Sequence, residues 1–320
     1  MKKATKIWLI TAAALILVGG MIFGGAMTML KWDFTKLSTT RYESREHEIA
    51  ESFDNIRILT DTADITLLPT DGTQCRVVCY EDVKASHEVA VKDDTLTVER
   101  IDTRKWYEYI GVNFATPKIT VYMPKGEYAA LTVKESTGDV NIPREFQFQT
   151  VDVSVSTGNV SCSASASGEV KIRATTGDVT LQDMSAGAID LTVSTGRIKA
   201  SGITCTGDVA IKVTTGKTLL TDVTCHDLST NGSTGDIKLT SVIATGTLTV
   251  KRSTGNVTFE GCDAAEMSVT TDTGDVKGTL LSDKIFFADT NTGRKDVPQT
   301  TAGGKCEIKT DTGDIIISVP

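Results

Sequence analysis

The residues able to do chemistry are few in this chain, and their spacing points in only a few directions. Five aspartates, Asp272, Asp275, Asp289, Asp311 and Asp314, make the end of the chain acid-rich, and carboxylate oxygens gathered in this way are a donor set that calcium takes. Asp272, Asp275, Asp311 and Asp314 form the candidate calcium set, and the alternative is a solvated acidic ladder relieved by Asn291 and Arg294. His47, His87 and His226 are scattered, with no nucleophile signature beside them, and read as solvated surface residues. The seven cysteines include neither the CxxC pair nor the histidine spacing of a zinc site. Cys162 and Cys306 read as small buried hydrophobes. Cys75 and Cys79 share one face of a strand, too far apart along it to bond each other. Cys205 and Cys225 occupy equivalent places in adjacent repeats, open either to a ladder disulfide or to two free thiols. No catalytic residue and no cofactor is expected.

What positions these residues is a repeat. A Thr-Gly corner recurs every 19 or 20 residues, at Gly138, Gly158, Gly177, Gly196, Gly216, Gly235, Gly255, Gly274, Gly293 and Gly313. A fixed period of this length is the mark of a solenoid, each repeat forming one layer. Apolar columns fall seven and five residues before the glycine and two and four after it. Val153, Ile172 and Leu191 represent the second column, and Val160, Val179 and Ile198 the third. Alternation on both sides of a bend means two short strands with one buried face, and β-branched residues suit that surface. Glycine supports a left-handed corner, and the threonine hydroxyls before it are expected to bind corner backbone groups. The expectation is an all-β, single-chain parallel β-helix (β-solenoid) of about ten rungs, right-handed as parallel connections are, rising about 4.8 Å per rung. The residue after each glycine runs Asp139, Asn159, Asp178, Arg197, Lys217, Asp236, Asn256, Asp275, Arg294, Asp314. In sequence order no two aspartates fall on consecutive rungs, as stacking of like charges would require.

The first thirty residues differ. Lys2, Lys3 and Lys6 precede an apolar run from Ile7 to Leu30, with Trp8 and Trp32 at its borders. Such a run makes a helix of about 36 Å, long enough for a bilayer core of about 30 Å, with the lysines on the cytoplasmic side. A cleavable signal peptide is the competing reading. The expected organisation is a cytoplasmic tip (1–6), a transmembrane anchor (7–30), a stalk (31–52), irregular capping coils (53–130) and regular repeats (131–320). The localisation that follows is a single-pass cell-membrane protein with its solenoid outside. Without the three leading lysines, 30 basic residues face 41 acidic ones. That balance speaks against nucleic acid and anionic polymers as partners.

Residues 55–68 carry a degenerate corner: Ile56 and Ile58, then Ala63 in place of glycine, then Ile65 and Leu67. Strands near 76–80, 95–101 and 118–123 follow. Trp106, Tyr107, Tyr109 and Phe114 form a concentrated aromatic patch in segment 104–116, either a plug over the open end of the solenoid or an interface. At the other end, Ile315, Ile317 and Val319 would form an open edge able to pair with a partner or a second copy, or else to fray.

The strand pair Ile56–Leu67, the stretch KITVYMPKGEYAALTVKESTGDV (118–140) and the serial STGDV corners together resemble the bacterial putative-adhesin family of β-strand repeat proteins, over about residues 53–320. That family is formally a domain of unknown function. The resemblance implies an envelope β-solenoid, often membrane-anchored, with surface or envelope-stress roles, and brings no catalytic residues to carry over. Three functions follow as expectations. The first is a non-catalytic membrane-anchored adhesin or interaction scaffold for a protein or glycan. The second is a regulatory component of the envelope-stress response acting on a membrane partner. A carbohydrate-active enzyme is the remote third, disfavoured by the uniform repeats.

Overall fold

The computed structural model describes residues 3–37, 40–109 and 115–320. Helix α1, Lys3–Met29, is apolar along its length, and its membrane-length window has no residue buried against the rest of the protein. It is long and apolar enough to cross a membrane. The described residues from Tyr42 on form a β-solenoid of about ten turns with an antiparallel cap, and their strands join into one continuous hydrogen-bonded sheet.

Each rung brings two strands to a Thr-Gly corner and stacks in register on the next, for example Val153 on Ile172 and Ile172 on Leu191. The four apolar columns are the core, with Val153, Ile172, Leu191 and Val179 fully buried. The corner glycines stack tightly. Gly235 has φ +121°, and a Cβ there would overlap the carbonyl oxygen of Gly216 in the rung below. Its N–H donates to Thr254 O in the rung above at 2.8 Å. The threonine before each glycine therefore serves through its backbone carbonyl. Corner hydroxyl bonds come instead from threonines three residues before the glycine: Thr290 Oγ1 donates to Gly313 O, and Thr310 Oγ1 to Gly274 O, both at 3.0 Å. A second left-handed bend lies six residues after the glycine, at Asp183 (φ 50°), Gly202 (φ 65°), Asp222 (φ 53°), Ser241 (φ 52°) and Gly261 (φ 61°). Its mixed composition hides it in the sequence.

The last two rungs do not stack in chain order. Strand Gly304–Thr312 lies between 257–273 and 284–292, pairing Cys306 with both Met267 and Phe286. Ile315–Ser318 likewise lies between 276–280 and 295–296. The expected open edge at Ile315 and Ile317 is therefore wrong, since both are buried in the stack. The outer rung is the one at Gly293, and the physical reason is Lys295. It holds a core column, where an interior rung would bury its charge unpaired; in the outermost rung it is exposed. The swap also makes Asp275 and Asp314 neighbours, against the expected spacing of aspartates. What the column does is bond. Asp139 Oδ1 accepts Asn159 N at 2.7 Å, Asn159 Oδ1 accepts Asp178 N at 3.0 Å, and Asp178 Oδ1 accepts Arg197 N at 2.8 Å. Asp275 Oδ1 accepts Asp314 N at 2.8 Å, and Asp314 Oδ1 accepts Arg294 N at 3.0 Å. Lys277 Nζ, 2.6 Å from Asp275 and 3.5 Å from Asp314, relieves the paired charges.

The other end uses the same device. β1 (Tyr42–Ile49), β2 (Asn55–Leu59), β3 (Asp64–Thr70), β4 (Cys75–Asp82), β5 (Ala85–Lys92), β6 (Thr95–Asp102) and β7 (Lys118–Pro124) precede the first regular rung, β8 (Gly126–Thr137) and β9 (Val140–Ile142). The degenerate corner β2–β3 is an interior layer: β2 lies between β6 and β8, and β3 between β7 and β9, all parallel. Antiparallel strands then close the end, β4 on β7, β1 on β4 and β5 on β6. Eight residues assigned to the stalk thus belong to the cap. Three of the four β1 side chains that turn inward are Glu43, Arg45 and His47, so no apolar alternation marks the strand.

Gly235→Val is expected to cost at least about 2–3 kcal/mol, from a β-branched residue at positive φ plus the overlap with Gly216. Asp236→Ala removes one 3.2 Å bond to Asn256 N and an exposed pair with Lys217, and should cost below about 1 kcal/mol. Equal midpoints for the two variants in denaturant unfolding would contradict the corner argument.

Candidate interaction surface

Two recesses meet near the first corner. A groove of about 650 Å³ runs across the outward faces of consecutive first strands, from Thr60 and Asp61 through Ser136, Ser156, Thr175 and Ser194. Residues two and four before each glycine face outward, so stacking converts one hydroxyl per repeat into a row at the rung spacing of about 4.8 Å. The rim carries charge: Arg100 bonds Asp61 at 2.6 Å and Asp102 at 2.9 Å, and Arg173 pairs with Asp152 at 3.3 Å. Sequence columns chosen for apolar character could not show this row.

The second recess, of about 530 Å³, lies around the corner and is lined by Tyr42, Asp64, Asp82, His87, Arg104 and Asp139, among others. Beneath it runs a buried polar chain. His87 is 5% exposed, not a solvated surface residue as expected. Its Nδ1 is 2.7 Å from Glu81 Oε2 and its Nε2 is 2.8 Å from Thr60 Oγ1. Glu81 Oε2 also accepts the His87 backbone N–H at 2.7 Å, and Arg45 lies 3.4 Å from Oε1. Hydroxyl, imidazole and carboxylate stand in the bonding order of a hydrolytic triad. Thr60, however, is 7% exposed within the packed corner, which leaves a substrate carbonyl no approach. The sequence signal for β5 was the short alternation His87, Val89, Val91.

The other expected sites fare differently. Asp272 and Asp275 lie on the rung next to Asp311 and Asp314, so the calcium candidates come onto adjacent layers. There Asp275 and Asp314 are engaged by Lys277, whose hydrogen bond holds the Asp275 carboxyl below its usual range, and Asp311 Oδ1 accepts Asn291 Nδ2 at 3.2 Å. Asp289 lies on the outer rung, 3.9 Å from Lys295 Nζ. All seven cysteines are buried free thiols, Cys205 and Cys225 included. Trp106 is 78% and Tyr107 49% exposed on a turn between β6 and β7, so neither plugs the core, whose end is covered by β1, β4 and β5. Phe114 and the side chain of Tyr109 lie outside the described residues.

Glu135 is turned into the first corner, three residues before Gly138. It is 6% exposed, and both carboxyl oxygens lack a hydrogen-bond partner. Burial, with Asp64 and Asp139 nearby, pushes its carboxyl up to about 8. A carboxyl raised in the folded state holds its proton more tightly there than in the unfolded chain. Its contribution to stability therefore falls as pH rises from the ordinary value of 4.5 to about 8, and is level outside that window. Glu135→Gln should flatten this part of the profile and raise the melting temperature at pH 8 while leaving it nearly unchanged at pH 4. Parallel melting curves for the two proteins across that range would count against it.

No curated protein matches this sequence. Among solved structures, a putative adhesin from Bacteroides fragilis NCTC 9343 is similar at 16% identity and a TM-score of 0.44, covering 88% of this chain and 99% of its own. A putative lipid binding protein from Parabacteroides distasonis ATCC 8503 is similar at 15% identity and a TM-score of 0.48, covering 88% of this chain and 98% of its own. A family model matches residues 53–218 and 205–320. Together these two spans hold the degenerate first corner, the cap strands after β1 and every Thr-Gly rung, and the chain belongs to the Toastrack DUF4097 family.

Proposed function

We propose that this protein is a non-catalytic scaffold, anchored by α1 with its N-terminus in the cytoplasm, whose solenoid binds an extended protein or glycan outside the cell membrane. The observation that carries the reading is the hydroxyl row of the groove. Each hydroxyl both donates and accepts, and a row at constant rise suits a linear partner with evenly spaced polar groups. The groove is shallow and lined mainly by polar and charged residues, unlike the concave apolar pockets that take small molecules. The acidic balance outside the membrane directs the choice toward neutral or basic partners.

The regulatory reading has one observation of its own. Trp106 and Tyr107 pack edge to face at 5.9 Å on an exposed turn of the cap, the end to which α1 is joined. Exposed aromatic pairs of this kind serve as binding anchors, here for a partner in or near the membrane.

Photocrosslinking amino acids at Ser156 in the groove, at Trp106 and at exposed Thr204 separate the two readings in intact cells. The scaffold reading expects a discrete adduct from Ser156, absent from Thr204 and retained when residues 7–30 are replaced by an unrelated anchor. An adduct from Trp106 alone, lost on anchor replacement, would transfer the function to the regulatory reading.

A further inference from the structure

The buried corner of the cap brings together three side chains whose atoms suit a metal. Cys79 and Glu81 lie two apart on β4 and so share its inner face, and His87 enters from β5. The Cys79 thiol, a Glu81 oxygen and a ring nitrogen of His87 lie within 4.8 Å of one another, and all three residues are buried. We propose that Cys79, Glu81 and His87 bind a single Zn²⁺ ion that fastens the antiparallel cap to the end of the solenoid.

The donor set argues for the ion class. Thiolate, imidazole and carboxylate together are ligands that zinc accepts, whereas calcium and magnesium take oxygen. The surroundings supply what such ligands need beyond the ion. A metal-bound histidine donates its second ring N–H to a neighbour that fixes the ring; with Nδ1 on the metal, Nε2–H points to Thr60 Oγ1 at 2.8 Å. Glu81 Oε1, on a side chain 1% exposed, makes no hydrogen bond and faces Arg45 at 3.4 Å. That guanidinium would steady a ligating carboxylate from its outer side. Cys79 is fully buried. Zinc takes cysteine as the thiolate, so binding releases the thiol proton and leaves a thiolate and a carboxylate to neutralise the ion. Water from the corner recess that His87 lines would complete a four-coordinate shell.

The structural consequence is local. β4 and β5 share only the Asp82–Ala85 pairing next to their turn, because β4 continues on β7 and β5 on β6. An ion held by residues 79, 81 and 87 would cross-link β4 and β5 where backbone pairing between them stops. Binding to the folded state alone stabilises by mass action, so removing the metal should loosen the cap before the regular rungs.

The test uses the full chain in detergent micelles, stripped of metal and titrated with Co²⁺ as the spectroscopic probe. One equivalent should bind, giving a sulfur-to-cobalt charge-transfer band in the near ultraviolet. Cys79→Ser should abolish the band, His87→Ala should weaken binding at least tenfold, and Cys162→Ser, at another buried thiol, should leave both intact. Zn²⁺ should compete for the same equivalent and raise the melting temperature of the wild type. If Cys79→Ser does not fold, cobalt-edge X-ray absorption on the wild type decides: one sulfur in the shell upholds the site. A shell of nitrogen and oxygen only, no bound cobalt, or a band that survives in Cys79→Ser overturns it.

Discussion

Close stacking of one corner on the next is the contact on which this architecture depends. The carbonyl oxygen of each corner glycine sits where a side chain on the next glycine would begin, as between Gly216 and Gly235. Only a residue without Cβ lets the backbones approach at strand spacing while turning through positive φ. Once that approach is fixed, register follows. Val153 stands on Ile172, and the aspartate or asparagine after the glycine reaches the N–H of the equivalent residue one rung on. The apolar columns then form one continuous core, and hydroxyls on the outer face become the groove. A repeat of 19 or 20 residues thus produces a ladder whose surface chemistry is the sequence read one column at a time.

A ladder has two ends, and both are closed by the same topological device. The chain enters through β2–β3 and leaves through Gly304–Thr312 and Ile315–Ser318, and in each case that rung lies inside a neighbour adjacent in sequence. The termini of the solenoid are therefore paired on both sides. The outermost layers are those that tolerate exposure: the Gly293 rung with Lys295 in a core column, and the β6–β7 layer, itself covered by antiparallel strands. Antiparallel capping breaks the parallel pattern that another copy could extend.

Several polar groups enter the interior, and two solutions differ in kind. Thr60, His87 and Glu81 Oε2 bond one another in a chain at 2.7–2.8 Å. Arg252 instead lies across the space left by Gly232 to reach Val213 O at 2.8 Å, two rungs away. Its Nε and Nη2, like the hydroxyls of Thr218 and Thr230, remain without partners. Buried unpaired groups cost stability, so these positions are the ones where the stack is held together least by its own repeat.

The sequence by itself determined the rung. The Thr-Gly period, the four apolar columns, the degenerate corner at Ala63 and the apolar N-terminal run are all local patterns, and local patterns encode which face of a strand is buried. What it could not contain was the order of near-identical rungs, because Ile315 fits equally well against Val276 or Lys295 by pattern alone. Only the exposure demanded by the Lys295 charge separated them, and that requires knowing which layer is last. The cap strand β1 escaped notice because its inward residues Arg45 and His47 are charged or polar, acceptable only once Glu81 and the rest of the cap surround them. For the same reason the meeting of Cys79, Glu81, His87 and Thr60 was invisible: these residues come from two strands and the corner after β2 and are joined by tertiary packing, where no spacing along the chain can announce them.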